Sequence, residues 1–123
     1  MSQEEARDTK EIEKCFLLSI CEILGQTGEA PRNRDFAFVQ GALRGVYNSL
    51  GELIYNSKYL SDTRKKLLER FNNNIFKIRD NLVIGVEVDK IDLAEVVNSN
   101  NICGRVGSTK AALERYIGYW YDS

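Results

Sequence analysis

Any chemistry in this chain would have to be done without histidine. None occurs in its 123 residues. That absence removes the commonest general base, the usual activator of a serine or cysteine nucleophile, and the commonest zinc ligand. Carboxylates, lysines, tyrosines and three cysteines remain. Cys15 and Cys21 fall six positions apart on one predicted helix, about 9 Å along its axis, and cannot bridge each other. An odd count with no paired spacing is not a disulfide framework. Cys15 and Cys21 read as small core residues, and Cys103, in a polar stretch, as the thiol open to reaction. No cofactor and no metal is expected.

The stretch Gly104-Arg105-Val106-Gly107-Ser108-Thr109-Lys110 comes nearest to a ligand motif. At a helix start its backbone N–H groups, with Arg105, Ser108 and Lys110 around them, would suit an anion. A phosphate-binding loop, however, needs G-x-x-x-x-G-K-[ST], because lysine and hydroxyl must reach different phosphates. Here the order is Gly-Ser-Thr-Lys and no strand precedes it. The stretch reads first as a loop with an N-cap, and only second as a small anion or nucleotide site.

Charge supplies the next candidate. Residues 1–30 hold three Lys/Arg and seven Asp/Glu, whereas residues 31–80 hold ten and five. Within the basic middle, Arg64, Lys65, Lys66, Arg70, Lys77 and Arg79 fall on the outer side of a helix predicted to run from Ser61 or Asp62 to about Asn81. Such a face either pairs with the acidic first helix or meets phosphates or an acidic protein. A net charge of -1 and a pI ≈ 5.5 weigh against nucleic acid, whose partners are usually basic domains. Short helices predicted at 90–98 and 108–119 are about ten residues apart, too far for a helix-turn-helix.

The element that positions everything else is the helix predicted over 36–55. Val39, Leu43, Val46, Leu50 and Ile54 form its apolar stripe. Ala37, Gly41, Gly45 and Ser49 recur every four residues on another side. A row with almost no side chain lets a second backbone approach closely, either within the bundle or in a homo-oligomer. Two glycines cost that helix about 1 kcal/mol each relative to alanine, so something is expected to compensate.

The other elements follow from the same periodicity. A first helix is predicted over 2–24, capped by Ser2 with Glu5 and ended by Gly25. Ile12, Cys15, Phe16, Ser19, Ile20 and Ile23 are its stripe, widened by Leu17, Leu18, Cys21 and Leu24. Asn33 or Asp35 caps the second helix. Leu67, Phe71, Ile75, Ile78 and Leu82 face inward from the third, where Asn72-Asn73-Asn74 is poor helix material and invites a bend. Residues 82–89 alternate like an extended connection, Asp89 caps the helix at 90–98, and 98–108 is loop by composition. In the last helix Leu113, Tyr116, Ile117 and Trp120 point inward, leaving Tyr119 and Tyr121 for a contact.

These elements make an all-α chain: a small helical bundle of three long and two short helices, one domain over 1–123. At 43% hydrophobic residues and a mean hydropathy of -0.35 it can build a core without the apolar run that a membrane span requires. The N-terminus MSQEEARDTK resembles no export signal, so the cytoplasm is the expected address. The expected function is non-enzymatic: a protein–protein interaction or regulatory role, with self-association and an acidic or protein partner. Nucleic-acid binding by the 64–79 face is the first alternative and anion binding at 104–110 the second.

Overall fold

The computed structural model describes residues 3–29, 36–57, 60–90 and 92–121, and every regular element among them is helical. In chain order these are α1 (Gln3–Glu29), α2 (Phe36–Asn56), α3 (Asp62–Val83), a π-helical turn (Ile84–Val88), α4 (Leu93–Ser99) and α5 (Ile102–Tyr121). The all-α bundle is as expected, except that the last helix is long. The caps predicted at Ser2, Asn33 and Asp35 lie outside the described residues. Among the described residues no helix is long and apolar enough to cross a membrane.

The four long helices form a ring. α1 packs chiefly on α5 and α2 chiefly on α3, while α1 with α2 and α3 with α5 close the circle. Each neighbouring pair runs antiparallel. Glu13 meets Tyr121 and Gly25 meets Lys110 between α1 and α5. Tyr47 meets Phe76 and Gly51 meets Asn72 between α2 and α3. Arg64 meets Tyr121 and Asn81 meets Arg105 between α3 and α5. An up-down-up-down order is what short connections impose on four amphipathic helices.

α2 buries the five residues its periodicity selects, Val39, Leu43, Val46, Leu50 and Ile54. α3 starts on Ser61, whose hydroxyl accepts from the Arg64 backbone N–H, and runs through Asn72-Asn73-Asn74 without a break. Asn72 turns inward to a buried position, and Leu68 rather than Leu67 occupies the core.

α1 differs more. Its buried side is Glu13, Leu17, Ile20, Cys21, Leu24 and Thr27, a stripe rotated from the purely apolar one. Glu13 is inside because partners await it there, and Thr27 because its hydroxyl donates to the Ile23 carbonyl at 2.7 Å. Ile12 is consequently 69% exposed, and Cys15, expected in the core, is on the surface. Gly25 does not stop α1. It lets the Lys110 side chain lie against the helix, with Cε 3.5 Å from where a Cβ would stand.

Two connections read as non-helical are helical. Residues 84–88 form a π turn in which the Asp89 N–H donates to the Ile84 carbonyl at 2.9 Å, and Lys90, with φ 57, ends it. Alternating valines are compatible with this because a widened turn carries Gly85 inward against Val96 of α4. α4 is capped by Asp92, not Asp89, through a 2.9 Å bond from the Ala94 N–H. α5 begins at Ile102 rather than 108. Ile102, Val106, Thr109 and Leu113 are buried at helical spacing, and the glycines and Ser108 that suggested a loop lie on its exposed side. Burial of that stripe outweighs the poor local propensity.

A methyl group at Gly85 would stand 2.6 Å from Val96 Cγ2, a side chain only 2% exposed. Gly85→Ala is therefore expected to destabilise the fold by about 1–3 kcal/mol, through overpacking of the α4 seat. Chemical denaturation monitored by circular dichroism measures it.

Candidate functional site

The residues proposed for the basic face are divided by the helix that carries them. Lys66, Arg70 and Lys77 are exposed along α3, with Glu69 and Asp80 exposed beside them. Lys65 and Arg79 are half-buried, and the Arg79 Nε is buried without an acceptor. Arg64 leaves the outer face altogether. Each neutralised phosphate adds an increment to affinity, and three cations interrupted by carboxylates supply few increments.

Arg64 instead enters a closed polar cluster at one end of the bundle. Its centre is Glu13, 3% exposed. Tyr121 donates to Glu13 Oε1 at 2.9 Å, and the Ser57 hydroxyl, just past α2, donates to Oε2. Arg64 Nη2 lies 3.8 Å from Glu13 Oε1 and donates to the Tyr121 oxygen, while its Nε donates to the Tyr116 hydroxyl at 3.2 Å. The guanidinium also rests 4.8 Å from the Tyr121 ring centroid and 5.2 Å from that of Trp120. A buried carboxylate persists only when paired and hydrogen-bonded, and here Ser57 past α2, Arg64 of α3 and Tyr121 of α5 provide the partners. Burial pushes the Tyr121 and Tyr116 hydroxyls up from the usual tyrosine value, which keeps both protonated well into alkali. With Glu13 buried, the cluster ties α1, the end of α2, α3 and α5 together.

The aromatic pair proposed for a contact also separates. Tyr119 is 71% exposed, with its ring edge-on to Trp120 at 4.9 Å, but Tyr121 is buried in the cluster. Of the three residues proposed for an anion, Arg105 and Ser108 line one groove and Lys110 faces away from it. All three lie inside α5, not at its start. Arg105 donates to Asn81 Oδ1 at 3.0 Å, and Ser108 is exposed on the rim of a 260 Å³ groove shared with Arg105. Lys110 faces α1 and lies 3.8 Å from Glu114.

The small-residue row is predicted either to pack within the bundle or to form a contact between copies. Ala37, Gly41 and Gly45 are exposed and Ser49 half-buried. Among the described residues, nothing stands within 4 Å of the position a Cβ would take at Gly41 or Gly45. Gly41 and Gly45 therefore meet no other element among those residues. The same outer side of α2 carries Phe38, 44% exposed, and Tyr55, 87% exposed. Glu13, Ser57 and Asn72 are the site-forming residues that periodicity missed, because each is a polar residue in a position that the apolar count leaves to solvent.

Comparison with family models, with curated proteins and with solved structures finds no match.

Two outcomes follow from the cluster. Arg64→Met should cost about 3–5 kcal/mol by leaving Glu13 buried without its cation, whereas Lys66→Met should change stability by no more than about 0.5 kcal/mol. Thermal unfolding of both variants compares them. Stability should also fall in alkali. Burial raises Cys21 to about 11 and Tyr121 further, so above pH of about 9 the unfolded chain gives up protons that the folded chain keeps. The stabilisation is intact below that pH and is lost as pH rises, which a titration of the melting temperature from pH 7 to 11 reads.

Proposed function

We propose that this chain is a non-enzymatic interaction protein that pairs with a second copy of itself through the outer side of α2. One observation carries the reading: Gly41 and Gly45 stand in the middle of a 21-residue helix, exposed, with open space above them. Within the chain these glycines only cost stability, about 1 kcal/mol each relative to alanine. A second helix laid along Ala37, Gly41 and Gly45 gains what the open row lacks, close backbone approach and the dispersion contacts that come with it. A row of this kind is complementary to itself, and a two-fold arrangement places the same residues on both sides of the contact.

One helix face is smaller than the about 800 Å² per partner of a standard stable interface. Pairing is therefore expected to depend on concentration. Sedimentation equilibrium should show a monomer–dimer balance, and Gly45→Leu should shift it to monomer by at least about tenfold in dissociation constant, or about 1.4 kcal/mol. The same variant should melt no lower than the parent, because leucine at an exposed helical position removes the glycine penalty. A parent chain that stays monomeric at millimolar concentration, or a Gly45→Leu chain that dimerises as well as the parent, contradicts the reading.

A further inference from the structure

We infer that the groove between α2 and α3 is a binding site for a small planar organic cation carrying N–H donors, of the amidinium or guanidinium class. The groove holds about 500 Å³, within the range of small-molecule sites. Its floor is Asn72, a residue 7% exposed whose Oδ1 is buried without a hydrogen-bond partner. A buried acceptor left unpaired is costly, so a native structure that keeps one has a use for it. Across from it stands Gly51, where a Cβ would lie 3.9 Å from Asn72 Nδ2. The missing side chain keeps the groove open above the amide. The terminal torsion of asparagine is soft, so the amide turns its oxygen toward a seated donor without repacking the helix.

The rest of the lining agrees on the charge of the occupant. Among the described residues, Glu69 is the one charged residue lining the groove, and it is a carboxylate. Tyr47 and Tyr55 bring two aromatic rings to the same groove, and the negative faces of such rings attract cations. The carboxylate and the two rings each favour a positively charged group over an anion, and the Asn72 oxygen adds an acceptor once its amide has turned. Ile54, buried at the groove's inner wall, suits a flat apolar body behind the charged head.

The test is titration of the full chain with benzamidinium and with benzamide, its uncharged planar counterpart, followed by calorimetry and heteronuclear NMR. Benzamidinium is expected to bind at least about tenfold more tightly than benzamide, with saturable shifts at Tyr47, Asn48, Tyr55 and Asn72. Glu69→Gln, on an exposed position that folding does not need, should bring the ratio of the two affinities to about one. Gly51→Leu should abolish binding by filling the groove while leaving Asn72 and Glu69 in place, its fold checked by circular dichroism. Equal affinity for the charged and uncharged probes, an unchanged ratio in Glu69→Gln, shifts centred elsewhere, or no saturable shift at all would each overturn the inference.

Discussion

A single buried carboxylate sets the geometry of this bundle. Glu13, on α1, sits where the end of α2, the start of α3 and the end of α5 meet, and each of those three sends it a donor or a cation. Tyr121 is the pivot: its hydroxyl donates to Glu13 and accepts from Arg64, so the ion pair at 3.8 Å is completed through a tyrosine. Such a network is weak evidence for added stability, since an apolar replacement of equal volume is often as good. Its stronger effect is on register. Sliding α1 or α5 by one turn would move Glu13 or Tyr121 about 5.4 Å along the axis and strand a buried charge.

Fixing the register also fixes which side of every helix is outside. With Val39, Leu43, Val46, Leu50 and Ile54 committed to the core, Gly41 and Gly45 must face away from it. On α1 the inward turn of Glu13 puts Ile12 on the surface for the same reason. The open glycine row and the unpaired Asn72 amide are thus local violations inside an otherwise consistent sequence. Places where a chain breaks its own rules without an internal gain are where function is to be sought. Both lie along α2, one on its outer side and one in its groove with α3.

Much of the fold was legible from apolar spacing alone. The all-α class and the five buried residues of α2 follow from residue types at known periods, and Ser61 is one of the two caps they offer for α3. What escaped has a common cause. Glu13, Asn72 and Thr27 are polar residues buried by partners or by the backbone, and no hydrophobic count finds them. Gly104, Gly107 and Ser108 argued for a loop, yet Ile102, Val106 and Leu113 carry α5 through them, because tertiary burial overrides propensity. The candidate site was half legible: the small-residue row is visible in sequence, but whether it faces a neighbour or solvent depends on the rotation of α2, which the core and the Glu13 cluster decide together. Of the six cations read as one face, three remain exposed along α3.

The central claim is that the outer side of α2 is a contact between copies. It is tested most directly by isotope-filtered NMR on an equal mixture of labelled and unlabelled chains at millimolar concentration. Cross-copy proton contacts among Ala37, Gly41 and Gly45 are predicted. Their absence, or cross-copy contacts confined to Ile12 and Ile23 on α1, would contradict the account.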